Sequence, residues 1–221
     1  METVKTYKIK DPGSAITHLI GMLMAAAAAA PLIIKAKEGF QGKHVAAVIV
    51  FITSMILLYG ASTSYHTFNI SEKVNKVLRK IDHMMIFILI AGSYTPICVI
   101  PLRDTVGIPL LILVWAVAIA GMLIKAFWIT CPKWFSSIIY IGMGWVCLMG
   151  LPEILSSLSP SAFGWLLSGG IIYTVGGIIY ALKLPIFNSR HQNFGSHEIF
   201  HLFVMAGSLC HYIVMYSFVA A

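Results

Sequence analysis

The sequence predicts an all-α integral membrane protein, a bundle of seven transmembrane helices with its N-terminus cytoplasmic and its C-terminus outside. Three observations predict it. Of the 221 residues 59% are apolar and only 10% charged, and the mean hydropathy is +0.88, values far from those of soluble domains. Apolar stretches long enough to cross a bilayer as helices recur along the whole chain. Lysine and arginine collect on one side of those stretches, as they do on the cytoplasmic side of membrane proteins.

The spans follow in order. The first, 14–35, comes after Lys5, Lys8 and Lys10 and runs through Ala25–Ala30 to Ile34. Lysines, an apolar run and small residues also mark secretory signal peptides, but here the apolar run passes the small residues, so the helix is expected to stay with the chain. The second, 44–66, ends on Ser62-x-x-x-His66, and the third, 82–101, opens on Asp82 after a polar loop holding Glu72, Lys73, Lys76, Arg79 and Lys80. The fourth and fifth cover 107–128 and 134–156. The sixth, 161–183, carries the pairs Gly169–Gly170 and Gly176–Gly177, which suit an internal helix contact or the face of a homo-oligomer equally. The seventh, 195–219, opens on His197-Glu-Ile-Phe-His201. Pro31, Pro96 and Pro152 fall inside spans, where membrane bundles tolerate proline. No long loop remains for a second domain, so residues 1–221 read as a single seven-transmembrane domain.

Orientation comes from the basic residues. Lys5, Lys8, Lys10, Lys73, Lys76, Arg79, Lys80, Lys125, Lys133, Lys183 and Arg190 lie on the N-terminal side, against Lys35, Lys37, Lys43 and Arg103 on the other. The N-terminal side is therefore expected in the cytoplasm. The net charge of +7 expresses that topology and an attraction to anionic head groups. The basic residues are dispersed over short loops without an aromatic platform, so nucleic acid is not an expected partner. The expected setting is the plasma membrane, crossed many times, with membrane lipids or small amphiphiles as partners. Cys98, Cys131, Cys147 and Cys210 show no CxxC spacing and are expected to be reduced apolar fillers.

Topology assigned without the histidines brings His66, Asp82, His197 and His201 to one end of the bundle. Ionisable groups at the hydrocarbon boundary are costly unless paired or bound to metal, and imidazoles near one carboxylate make a zinc-type site. Ser62 lies one turn from His66 on the same helix face; it is expected at the site, although a small residue that lets helices approach would look the same. Asp82 would serve equally as the N-cap of the third helix. His197 and His201, at i and i+4, need one further ligand to hold zinc. His18, His44, His83 and His191 are expected to be interfacial or hydrogen-bonded. His211, about four turns beyond His197, lies roughly 20 Å away along the helix, too far to share an ion, and is expected to be a buried, hydrogen-bonded residue.

His197-Glu198-Ile-Phe-His201 is also an HExxH sequence, in which the glutamate of a metalloprotease activates water. No Asp-Gly occurs to supply the usual third ligand of an intramembrane protease. Glu198 reads as well as a first-turn acid after Ser196, an expected N-cap.

Ser62-x-x-x-His66, Asp82, the run Ala91-Gly-Ser-Tyr-Thr-Pro96, and His197-x-x-x-His201 followed by His211 together resemble the hemolysin III family. That family is grouped with the progestin and adipoQ receptors and the alkaline ceramidases, a seven-helix superfamily expected to include membrane hydrolases. The resemblance runs from Asp11 through His211. It implies Zn2+ bound by His66, His197 and His201, with Asp82 contacting the metal's water and Ser62 close by. Receptor-type members carry a glutamate and an asparagine ahead of a histidine in the first helix, where this chain reads Asp11-Pro-Gly-Ser14-Ala-Ile-Thr-His18.

The expected function is zinc-dependent hydrolysis of a lipid amide or ester at the cytoplasmic leaflet, with Asp82 moving the proton and Ser62 donating to the developing oxyanion. The alternatives are a zinc-containing membrane sensor without catalysis, a hemolysin-type lytic protein and an intramembrane HExxH metalloprotease. Three histidines leave a vacant position that favours catalysis over a closed structural site.

Overall fold

Hydrocarbon offers backbone groups no water to bond, so a chain this apolar satisfies them within helices. The computed structural model describes residues 8–39, 42–182 and 194–220 and is helical in all its regular structure. Seven of its helices are long and apolar enough to cross a membrane. They are α1 (Pro12–Gly39), α2 (Lys43–Thr67), α3 (Glu72–Val99), α4 (Asp104–Phe127), a broken fifth span, α7 (Pro160–Leu182), and α8 (Ser196–Val214) continued by a π turn over Met215–Val219. The fifth span consists of α5 (Lys133–Gly144), a 3-10 stretch over Trp145–Gly150, and α6 (Leu151–Ser157). Residue 183, where the sixth span was expected to end, lies outside the described residues, as do Lys5, Arg190 and His191.

Successive spans pack on one another, and α8 returns to α1 to close the ring. In α3 61% of the most apolar window is buried and in α2 50%, against 22% in α1 and α7. Ser54, Ser62 and His66 of α2 and Asp82, His83, Ser93 and Thr95 of α3 are buried in the bundle, whereas α1 and α7 present most of their surface outward. Phe51, Leu58 and Tyr59 of α2 form much of the core with Leu89 and Ile97 of α3.

Three local departures from the sequence reading bear on the site. First, α3 begins at Glu72, ten residues before the expected 82. Ser71 caps it by accepting from the Val74 N–H at 3.3 Å, and the helix carries Lys73, Lys76, Arg79 and Lys80 where a loop was expected. A hydropathy window ends with the apolar run, while the helix continues to its capping serine. Asp82 is therefore no N-cap; it sits about three turns into α3. Second, α8 begins at Ser196, with Gly195 rather than Ser196 at the N-cap. Third, the break in the fifth span is held by Tyr94 of α3. Its hydroxyl donates to the Gly144 carbonyl at 2.5 Å and accepts the Cys147 N–H at 2.9 Å, so backbone groups freed by the break are satisfied by a neighbouring helix.

Three of the four paired glycines of the sixth span lie at internal contacts. A Cβ on Gly176 would lie 2.6 Å from Phe203 of α8, one on Gly169 2.3 Å from His211, and one on Gly177 3.1 Å from Ile141 of α5, while Gly170 has open space before it. All four cysteines are free. Cys131 is more than a filler: buried Lys125 donates to its Sγ at 3.1 Å and to Ser136 Oγ at 2.5 Å, which satisfies a charge that would otherwise be costly there.

Candidate metal centre

The last turn of α2 carries His66, and the first two turns of α8 carry His197 and His201. One ring nitrogen of each lies within 4.8 Å of the other two, and His66 Nε2 is 3.1 Å from His197 Nε2. Nitrogens bound tetrahedrally to zinc at about 2.0–2.1 Å stand roughly 3.3 Å apart, so the trio is on the scale of a zinc site.

The tautomers fit a metal as well. The carboxylate of Asp11 lies 2.9 Å from His66 Nδ1 and only accepts, so Nδ1 carries the proton and Nε2 presents a lone pair to the cluster. Asp11 is held in place by backbone bonds from its N–H to the His66 carbonyl, 2.9 Å, and from the Lys10 N–H to the Thr67 carbonyl, 3.3 Å. On the other side Thr17 Oγ1 lies 3.2 Å from His201 Nδ1. The Thr17 hydroxyl donates to the carbonyls of Gly13 and Ser14 at 3.0 Å, so it accepts from His201 and frees His201 Nε2 for the cluster. His197 Nδ1 is buried with no protein partner among the described residues.

The geometry corrects the role expected of His18. It is 3% exposed, stacks on His201 with ring centroids 3.6 Å apart and meets Tyr59 edge-on at 5.1 Å; neither ring nitrogen has a hydrogen-bond partner among the described residues. It forms a wall of the centre and is no interfacial residue. His83 Nδ1 stands 3.2 Å from Asp82 Oδ2, close to the carboxylate but without the hydrogen-bond geometry expected of it. His211 lies apart from the trio, as helix spacing requires, but its two ring nitrogens are buried without the hydrogen bond expected for them.

Glu198 is occupied elsewhere. It accepts from the Gly195 N–H at 2.8 Å and from the Ser14 hydroxyl, capping α8 and joining it to α1. This is the first-turn acid of the sequence reading, and it leaves the glutamate of HExxH turned away from a water-activating role.

A cavity of about 270 Å³ opens from the centre into the bundle. His197, His201, His18, Ser62 and Asp82 line its near end, and its walls are otherwise mainly apolar. Asp82 and Ser62 are buried, and Ser62 Oγ has no protein partner among the described residues. Asp82 is outside the set of ligand atoms that lie within 4.8 Å of one another.

The sequence reading named Asp11 and Ser14 only as a departure in the first helix and did not single out Thr17. Their signal was legible: Ser14, Thr17, His18 and Gly21 recur at helical spacing on an otherwise apolar span, the pattern of a face turned to a polar partner.

Over residues 6–212 the sequence matches the family described as Haemolysin-III related. The chain belongs to the haemolysin-III-related family. It is 37% identical over 203 residues to the "Hemolysin-3 homolog" of Bacillus subtilis, covering 91% of each chain. It is 37% identical over 199 residues to the "Hemolysin-3" of Bacillus cereus, covering 90% of this chain and 87% of that one. More distantly, it is 26% identical over 220 residues to the "Adiponectin receptor protein" of Drosophila melanogaster, covering 91% of this chain and 49% of the receptor. Haemolysin-III-related membership extends over every residue of the candidate centre, from Asp11 to His201.

Proposed function

We propose that this protein is a zinc-dependent hydrolase of a lipid amide or ester, working at the cytoplasmic face of the plasma membrane. The reading is carried by one observation: the three-imidazole cluster adjoins a mainly apolar cavity lined by two of its members, His197 and His201, and by a buried carboxylate and a buried hydroxyl without a protein partner among the described residues. A purely structural zinc tie between helices has no use for such a cavity. An amphiphile would lay its chain along it and bring its carbonyl to the histidines.

Zinc held by His66, His197 and His201 would supply a Lewis acid and lower the pKa of water toward about 7. Asp11 and Thr17 keep two of the imidazoles in the tautomer that presents Nε2 to the centre. Asp82, 3.2 Å from His83, takes the proton from the attacking water and returns it to the leaving amine or alcohol. Ser62 donates its hydrogen to the oxygen that gains charge on the attacked carbonyl. The low dielectric of the bundle strengthens each of these interactions.

The sensor reading shares the trio but assigns no task to Asp82, Ser62 or the cavity. Peptide hydrolysis through HExxH would require Glu198, which caps α8. The name of the Bacillus relatives points to lysis, but a lytic pore needs a polar stripe along the bundle, and the walls of the cavity are mainly apolar.

Two measurements test the proposal in sequence. Elemental mass spectrometry of purified protein should find about one zinc per chain in wild type, none in His66→Ala, His197→Ala or His201→Ala, and retained zinc in Asp82→Ala. Zinc-loaded wild type should then release fatty acid from a panel of lipid amides and esters while Asp82→Ala releases none. Zinc that survives loss of the histidines, or loaded protein inert on a panel that an active relative cleaves, would remove the reading.

A further inference from the structure

Deeper in the cavity, away from the cluster, lies a histidine that the hydrolase reading leaves without a task. His211 follows His201 by ten residues on α8, about 15 Å along the axis, and lines the same cavity with Tyr173 and Gly170. Both of its ring nitrogens are buried with no hydrogen-bond partner among the described residues. The carbonyl of Leu166 lies beside the ring without hydrogen-bond geometry, so at most one nitrogen has a weak acceptor and the other keeps an unpaired lone pair.

The neighbouring hydroxyls do not relieve it, because they serve one another. Tyr59 Oη donates to Ser208 Oγ at 2.7 Å, and Tyr173 Oη lies 2.8 Å from the same oxygen. Tyr173 presents its ring to His211, edge to face at 5.2 Å. The imidazole is also seated closely. It fills the space before Gly169, where an added Cβ would come within 2.3 Å of its Cδ2. An apolar side chain there would leave no unpaired nitrogen, whereas a buried imidazole nitrogen left unbonded is costly. A group that bonds it from within the cavity would offset that cost.

We infer that His211 forms a distal subsite for a hydroxyl group, so that the cavity selects amphiphiles with a hydrogen-bond donor on the chain about 15 Å from the group seated at His201. This inference rests on the amphiphile reading of the cavity. It narrows the ligand from long-chain lipids in general to hydroxylated chains of matching length. A donor is favoured over a carbonyl because the lone pair on His211 needs a proton to accept. The apolar wall between the two ends accommodates the methylenes that join them.

The test uses the full chain, zinc-loaded, in lipid nanodiscs. Straight-chain fatty acids of about ten to sixteen carbons and their ω-hydroxy derivatives compete with a radiolabelled fatty acid for binding. At the chain length that spans His201 to His211, about twelve carbons, the hydroxy acid should bind about three- to ten-fold more tightly than its parent, the worth of one net hydrogen bond. Shorter and longer members should lose that advantage. His211→Phe should erase the advantage and keep the parent acid's affinity, and His211→Gln, which retains an acceptor, should restore part of it. The inference is overturned if hydroxylation brings no gain at any length, or if the gain persists in His211→Phe. Should that variant fail to fold, the length dependence in wild type still decides. Parent acids that bind with no preference for the hydroxyl would remove the distal subsite alone; failure of both series to bind would remove the amphiphile reading with it.

Discussion

Two side chains, Asp11 just before α1 and Thr17 in its second turn, set the chemistry of histidines that belong to other helices. Asp11 fixes the tautomer of His66, and Thr17 that of His201. Partners of this kind are typically worth ten- to a hundred-fold in metal affinity. Asp11→Ala and Thr17→Val should therefore still load zinc to the wild-type stoichiometry but release it to a competing chelator at a concentration about ten-fold lower or more. Unchanged chelator curves would make these bonds ornamental to the centre. Glu198 gives the opposite expectation. As a cap joined to Gly195 and Ser14, its replacement in Glu198→Ala should cost about 1 kcal/mol of thermal stability and leave the zinc content intact. Loss of metal in that variant would return Glu198 to the centre.

Helices position these residues by touching closely at glycines and by mending their own breaks. At Gly176 an added methyl would meet Phe203 at 2.6 Å, while at Gly170 nothing lies within 4 Å. Gly176→Ala is accordingly expected to destabilise the α7–α8 contact by about 1–3 kcal/mol and Gly170→Ala to leave it unchanged, both read by thermal unfolding in detergent. Tyr94 serves the fifth span in the same way. Tyr94→Phe leaves the Gly144 carbonyl and the Cys147 N–H without their shared partner, and about 1–3 kcal/mol of stability should go with it. Its sequence signal was weak. A tyrosine amid apolar residues looks like core packing, and nothing local says which backbone groups it will meet. The early start of α3 was more legible, since Ser71 followed by Glu72 is a helix start that hydropathy alone passes over.

Across the whole molecule, closure of α8 onto α1 turns separate helix ends into one centre. His66 and His201 come together only because the first and last spans are neighbours. The charge asymmetry predicts the cytoplasmic side of the membrane for that centre, and the side is open to direct measurement. In a background with the native cysteines replaced by serine, a cysteine at Lys37 should react with a membrane-impermeant maleimide in intact cells. One at Lys76 should react only after permeabilisation. The reverse pattern would place the histidines at the outer leaflet and move the proposed substrate there with them.

The sequence by itself determined that the chain crosses the membrane as helices, because apolar length and composition suffice when every backbone hydrogen bond must close within its own segment. It also determined that His66, His197 and His201 share one end of the bundle, because helix spacing and alternating topology fix depth. What it left open is lateral: which helix lies beside which, and which face each turns inward. Depth is a property of one span, but contact is a property of two. Only the packed bundle could pair Asp11 with His66, seat His18 on His201, turn Glu198 into a cap and leave the ring nitrogens of His211 without a hydrogen-bond partner among the described residues, deep in a cavity.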